Sequence, residues 1–434
     1  MQVTDALNSH FDKLIRSEVR IGQHSWSAFK VCGCTGLVLA TLLAMTLVTY
    51  LGLSLLIMAA IVLVSVSILL GLTLITKIIT GEERIINYHH QVVVLVVTAV
   101  LLWLLDQPIL PYLDATILGV GLFIACGRVG CLMRGCCYGR PCHWGVCYRA
   151  EHAAVGFTPY FIEVRLFPIQ AVESLWLFGV VSVGSSLVLI GHAPGGALVW
   201  YVVTYSLGRF YFEFMRGDLE RPYYWGFSEA QWISLLLMCA VVWAELTSTL
   251  TFHPWHIGAT AFLGVTVMAG ALQNRSQGIA SHLLLCPYHI QGIAGAIQLA
   301  SNLAVERCDV CKQSFTSSNI HIGCTSLGVQ ISANKIRNTT GYTHHYALSY
   351  QNKIMGEETA RFLAEFIVRL KHPSGSSEFI KGNQGVFHLL VHVPMTADIS
   401  QIKSSGPRDG MEPTKLSVRL PRDYKLGFNG WVSI

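Results

Sequence analysis

Three arginines, Arg128, Arg209 and Arg216, stand in or beside apolar stretches of this sequence, in company with Asp114, Glu173 and Glu213. Ionisable groups in such surroundings are costly, and by default they mark a working site or an internal ion pair. Arg128 lies in Gly127-Arg128-Val129-Gly130, where small residues let helices approach and let a bulky headgroup reach the guanidinium. Its planar, permanently charged fork suits phosphate oxygens. Snorkelling to lipid headgroups, or pairing with Asp114 or Glu173, accounts for the same residue equally well. Arg209, Glu213 and Arg216 recur at i, i+4 and i+7, so a helix would carry them on one side. One carboxylate between two arginines leaves surplus positive charge that a lipid phosphate would neutralise. Tyr88, His89 and His90 precede another apolar run. A histidine with a pKa near about 6.5 can take the proton of a thiol whose own pKa is about 8.5. Interfacial placement and a metal-ligand pair are the alternatives for these two histidines.

Six of the thirteen cysteines fall at 126, 131, 136, 137, 142 and 147. A spacing near five is not the Cys-x-x-Cys of a zinc ribbon, and helix positions five apart diverge in direction. Disulfides in an external loop, inert thiols, and a metal or redox site all remain open. Separately, Cys308, Cys311, His321 and Cys324 form a weak zinc candidate, because short Cys-x-x-Cys matches are common.

The elements that position these groups are apolar spans. Of 434 residues only 13% are charged and 52% hydrophobic, and mean hydropathy is +0.49, a balance that favours a bilayer over water. Crossing about 30 Å of hydrocarbon takes roughly 20 residues at 1.5 Å each. Candidate spans are 31–50, 53–75, 91–105, 114–126, 168–190, 197–214, 227–246 and 257–272, the last weakened by glycines and polar residues. The first begins too late and runs too long for a cleaved signal peptide, and reads as an uncleaved helix. A formal charge of +5 is small for this length and argues against nucleic acid as a partner. The expected fold is an all-α polytopic membrane bundle of about seven or eight transmembrane helices with a small soluble α+β C-terminal domain. Its parts are a polar segment 1–29, a membrane domain 30–272 with an inserted Cys-rich loop 131–167, and a soluble domain 273–434 of unassigned function. In the last, a helix over 357–370 presents Ala360, Leu363, Phe366 and Ile367 on one face, and 386–393 reads as a strand.

The order and spacing of these residues over about 75–247 resembles the prolipoprotein diacylglyceryl transferase family, multi-pass proteins of the bacterial plasma (inner) membrane. The resemblance is carried by Asp114, by Arg128 fourteen residues later with Gly127 and Gly130, and by Gly135 and Gly139. It continues through Phe167-Pro168-Ile169-Gln170 with Glu173, Arg209-Phe210 with Glu213-Phe214 and Arg216, and Gln231 with Ser234. Tyr88-His89 falls where the family has a His-Gly-Gly motif, with His90-Gln91 in place of the glycines; Cys131 and Cys136 replace an asparagine and a glutamate. The resemblance implies transfer of diacylglycerol from phosphatidylglycerol to the lipobox cysteine of a prolipoprotein among membrane lipids, with no cofactor. It implies that Arg128 and Arg209 hold the phosphate and that His89 takes the thiol proton. Tyr88, Glu173, Glu213, Arg216 and Gly139 would bind substrate or orient the arginines, and Asp114, Gly127 and Gly130 would support the fold. The positive-inside rule puts the loops around Lys77, 134–165 and 216–221 in the cytoplasm. The resemblance opens the site to the external side instead. A second function class, a non-catalytic or redox and metal-handling membrane protein using the Cys131–Cys147 loop, is fed by the two cysteine replacements.

Overall fold

The computed structural model describes residues 2–80, 87–158, 161–218, 223–276, 287–302, 305–308, 322–325, 327–338, 341–372 and 375–394. An amphipathic helix α1 (Gln2–Leu14) and a hairpin, β1 (Glu18–Ile21) with β2 (His24–Ser27), precede the bundle. Eight long helices follow: α2 (Ala28–Tyr50), α3 (Leu55–Thr80), α4 (Asn87–Leu104), α5 (Ile109–Arg134), α7 (Ile169–Leu189), α8 (Gly196–Met215), α9 (Glu229–Leu246) and α10 (Pro254–Ser276). Five of them, α2, α3, α5, α7 and α9, are long and apolar enough to cross a bilayer by length and composition. The protein is a multi-pass membrane protein.

α5 is the axis of the bundle. Two thirds (67%) of its apolar window is buried, against 11% for α3, and it packs on α2, α4, α7 and α8. Small residues permit that centrality: Gly36 of α2 lies so close to α5 that a Cβ there would meet Cys126 Cβ at 2.7 Å. Asp114 joins α5 to the start of α8, its carboxylate accepting the Gly195 and Leu198 amides at 2.7 Å each. Those amides are among the donors that a helix start leaves unpaired, and in hydrocarbon an unpaired amide costs several kcal/mol.

Between α5 and α7 the chain forms a small cap of β3 (Pro141–Cys147), α6 (Ala150–Ala153) and β4 (Arg165–Leu166). The inserted segment expected from 131 in fact starts later, because α5 stays helical to Arg134 and ends at Gly135, whose left-handed φ of +88° closes the turn. α1 docks on this cap through Asn8, which accepts the Gly145 amide at 2.9 Å, and through Asp12, paired bidentately with Arg165.

Beyond the two-stranded β5 (Tyr223–Tyr224) and β6 (Phe227–Ser228) and the last bundle helix, α11 (Pro287–Asn302) and α12 (Glu357–Lys371) pack with a six-stranded sheet. Its main path is β11 (Ser376–Lys381), β12 (Phe387–Pro394), β10 (Gly341–Tyr350), β9 (Val329–Asn338) and β7 (Val305–Cys308). β8 (Ile322–Cys324) pairs with β9 off that path; β7 and β9 are parallel and the other pairings antiparallel. The core of this α+β unit is continuous with the cap: Tyr138, Val146, Phe157 and Leu166 share one cluster with Ile297, Leu363 and Phe387. Gln291 of α11 donates to the Tyr138 hydroxyl at 2.7 Å. α1 and α12 both pack on β3, so α1, cap and sheet unit stand together.

Candidate active site

Four bundle residues form one buried ionic network beneath the cap. Arg128 of α5 reaches Glu173 of α7 through Nε at 2.9 Å and Nη2 at 3.1 Å, a two-point contact. Tyr205 of α8 donates its hydroxyl to the same carboxylate at 3.0 Å. Arg209 stands one helical turn further along α8, with Nη2 2.9 Å from Glu213 and Nη1 4.0 Å from Glu173. None of the four ionic residues is more than 5% exposed. A charge buried at this depth persists only with a partner or a ligand. Arg209 Nη1 is a buried donor that makes no hydrogen bond among the described residues.

Arg216 leaves the helix face that it was expected to share with Arg209 and Glu213, while staying within electrostatic reach of Glu213. α8 ends at Met215, so Arg216 is in extended backbone and no longer on the helix face. It pairs bidentately with Asp218, at 2.7 and 2.8 Å. Three guanidiniums therefore meet three carboxylates, and the expected surplus of positive charge from two arginines on one acid does not arise. Sequence reasoning missed Asp218; the signal for its role is the helix end at Arg216.

Cap residues hold this end of α8 in place. Gly139 bridges to Arg216, the Gly217 amide donates to the Tyr138 carbonyl at 2.9 Å, and the Arg140 amide to that of Met215 at 3.1 Å. A Cβ on Gly139 would collide with the Phe167 carbonyl, so only glycine fits. Gly130 packs against Phe29 and Cys32 of α2, whereas the space beside Gly127 is open.

A narrow cleft of about 40 Å³ opens beside the network, lined by Tyr88, Gln91, Tyr201, Tyr205, Ser206 and Arg209 among others. Tyr88 and His89 share one acid: the Tyr88 hydroxyl donates to Glu229 Oε2 at 2.9 Å, and His89 Nε2 lies 3.2 Å from Oε1. Tyr88 faces the cleft, while His89 is 45% exposed and outside its lining. Glu229 was missed by sequence reasoning, though a Ser228-x-x-Gln231 capping box marks the start of its helix. Gln91, which accepts from the Tyr201 hydroxyl at 3.2 Å, also lines an apolar groove of about 100 Å³ between α2, α3, α4 and α5. His90 lines that groove rather than the cleft.

Three of the six closely spaced cysteines converge at the site. Cys131, in the last turn of α5, and Cys136 and Cys137, just past it, bring their sulfurs within 4.8 Å of one another. Their spacing defeats a helical reading because the turn at Gly135 folds the chain back, and Cys137 also takes a left-handed φ of 55°. All three are thiols, as are Cys126, Cys142 and Cys147, so the disulfide reading of this series is not what the structure holds. Cys126 instead packs on α2, and Cys142 and Cys147 lie on β3. Hydrogen bonds from Cys131 and Cys136, together with Arg216 and Arg128, hold the Cys137 thiol well below its ordinary range. Cys136 is pushed the other way, by its contacts with Cys131 and Cys137 and by burial. A second potential ligand group, Glu245, His253 and His256, lies at the opposite end of the bundle. Of the weak zinc candidates, Cys324 is exposed, while Cys311 and His321 lie outside the described residues.

A family model described as prolipoprotein diacylglyceryl transferase matches residues 20–247, which hold every arginine and acid of this network. The chain belongs to the prolipoprotein diacylglyceryl transferase family. Among curated relatives, phosphatidylglycerol–prolipoprotein diacylglyceryl transferase 2 of Clostridium perfringens is 31% identical over 135 residues, 30% of this chain and 49% of the relative. Phosphatidylglycerol–prolipoprotein diacylglyceryl transferase of Dehalococcoides mccartyi is 31% identical over 130 residues, 30% of this chain and 48% of its own length. That of Clostridium tetani is 31% identical over 110 residues, 25% and 43% of the two chains. The chain thus spans about half the length of the curated relatives it matches. No solved structure matches it significantly.

Proposed function

We propose that this chain transfers the diacylglyceryl group of phosphatidylglycerol to a prolipoprotein lipobox cysteine, in the bacterial plasma membrane with its site open to the external side. The observation that carries the reading is the buried Arg209 guanidinium, which is held between Glu173 and Glu213, lines a cleft, and keeps one donor that makes no hydrogen bond among the described residues. A phosphate oxygen is the partner such a donor suits. The apolar groove met at Gln91 gives acyl chains a place beside that headgroup.

In this reading Arg128 and Arg209 bind the phosphodiester, while Glu173, Glu213 and Tyr205 keep the two forks aimed. His89, oriented by Glu229, takes the proton of the acceptor thiol. The thiolate attacks the glyceryl carbon, a C–S bond forms, and the C–O bond to phosphate breaks with its electron pair on the departing glycerol phosphate. Charge developing on that leaving group is met by the arginines, already in place. Arg216, tied to Asp218 and Gly139, positions the cap over the cleft.

Protein in phosphatidylglycerol bilayers, given a lipobox peptide, is expected to yield diacylglyceryl peptide and glycerol phosphate. Arg209→Ala is expected to lower that rate by about 10²–10³-fold, the usual cost of one transition-state donor. A folded, lipid-embedded wild type that yields no product beside an active relative overturns the reading.

A further inference from the structure

Three thiol sulfurs that can share a cation sit beside the cationic floor of this site, and two of them, Cys131 and Cys136, stand where the family pattern has a neutral amide and a carboxylate. We propose that Cys131, Cys136 and Cys137 bind one zinc ion and leave its fourth position to the acceptor cysteine, whose sulfur is thereby held as a thiolate for transfer. The proposal rests on the transferase reading for its substrate, and on the sulfur geometry for its metal.

Zinc takes tetrahedral sulfur ligands at about 2.3 Å, which sets ligand sulfurs roughly 3.8 Å apart. Sulfurs already within 4.8 Å close onto one ion with small side-chain rotations. The backbone that presents them is fixed from three directions. The Gly135 amide donates to the Cys131 carbonyl at 2.9 Å, closing the turn. Gln170 of α7 donates to the Cys136 carbonyl at 2.8 Å and also to the Tyr148 hydroxyl. Cys137 keeps its left-handed backbone, a conformation that cysteine seldom adopts and that persists where the surroundings enforce it.

Charge and access agree with this assignment. Three thiolates around a divalent ion carry a net charge of about −1, and Arg128 and Arg216 both lie within electrostatic reach of Cys137. Cys131 is buried, and Cys136 and Cys137 are residues of intermediate exposure just past the end of α5. Three protein ligands with an open position is the pattern of a catalytic rather than a structural zinc. Soft sulfur ligation selects zinc over magnesium or calcium.

The step balances without an oxidant or reductant. The acceptor thiol enters the open position as thiolate and releases one proton, to His89 or to solvent. Its sulfur attacks the glyceryl carbon, and glycerol phosphate leaves with the C–O electron pair and one more negative charge than it carried in the diester. The neutral thioether that forms is a poorer ligand than thiolate, which frees the product.

The test uses the full chain in lipid bilayers, freed of metal by a chelator under reducing conditions and titrated with zinc alone. One zinc per chain is expected, with cobalt(II) in its place showing sulfur-to-metal charge-transfer absorption. Cys136→Ser and Cys137→Ser should each weaken zinc by more than about 100-fold, beyond the 10–100-fold that losing an outer partner costs. Cys239→Ala, exposed on α9, should leave zinc binding unchanged. Arg128→Ala should still take up zinc while losing transfer. Absence of zinc uptake by reduced wild type, uptake indifferent to the two serine variants, or full transfer by the metal-free protein overturns the proposal; in the last case the transferase reading stands alone. Cysteine-dependent zinc in a protein that transfers nothing also overturns the assignment of the fourth position, and marks the failure of the transferase reading instead.

Discussion

The bundle and the C-terminal sheet unit both bury an apolar core, but the bundle buries an ionic network as well. Around α5 the least exposed side chains include Arg128, Glu173, Arg209 and Glu213, while Leu56 is 81% and Leu63 69% exposed. In the sheet unit, Leu363, Ile367 and Val391 are fully buried, and Arg361 and Glu365 of the same helix α12 face out. Both arrangements follow from solvent. In a bilayer apolar side chains can stay outside at no cost, so the charge that lipid would reject joins the apolar core inside. In water the apolar face must be covered, and burial of hydrocarbon supplies the driving force. A buried charge in the first region therefore reports function, whereas a buried leucine in the second reports only folding.

The sharpest way to break this comparison is Glu173→Ala, which strands two arginines in the bundle. A loss of about 3–5 kcal/mol is expected, as when one member of a buried pair is removed. Unfolding of the variant in detergent measures it, with Glu173→Gln retaining the acceptor oxygen and losing less. A bundle indifferent to Glu173→Ala would mean that its ions are not what the interior is built around. In the sheet unit Leu363→Ala should cost about 2–5 kcal/mol, through lost burial and the cavity left behind. Amide exchange should quicken in β10 and β12, and also in the cap that shares their core, but not in α7. Exchange confined to the sheet would sever the cap from it.

The smallest effect is one of acid. Burial pushes His372 down to about 3, aided by His344, and burial alone pushes His289 down to about 4. The unfolded chain takes up these protons first, near pH 6.5, so stability is undiminished above that value and falls as the pH drops toward 4. A loss on the order of 1 kcal/mol per histidine is expected by pH 5.5. Amide exchange of β10 followed against pH checks it, and His372→Gln should remove part of the dependence. An acid response seen first in the bundle would reverse the comparison.

The same contrast explains what could be read from sequence. Spans are legible because an 18-residue apolar run has few other uses, and the buried arginines are legible because they interrupt such runs. The helix at Glu357 follows from the spacing of Ala360, Leu363 and Ile367. Pairings across loops are different. That Arg216 turns to Asp218, that His89 meets Glu229 on another helix, and that three cysteines converge all depend on where a helix stops. One glycine, Gly135, decides the last of these. Its place after a basic last turn was a signal available in the sequence, as helices often end on such a glycine.

The continuity of cap and sheet unit bears on how the protein is made. Cys136 leaves the ribosome about 150 residues ahead of Pro287, where the covering helix begins. At roughly 5–20 residues per second, that is an interval of roughly 8–30 s. Throughout it Tyr138, Val146 and Phe157 lack the partners that later enclose them, and the thiols beneath them stay open to whatever the compartment holds. A folding assistant that shields these side chains would have to work within that time.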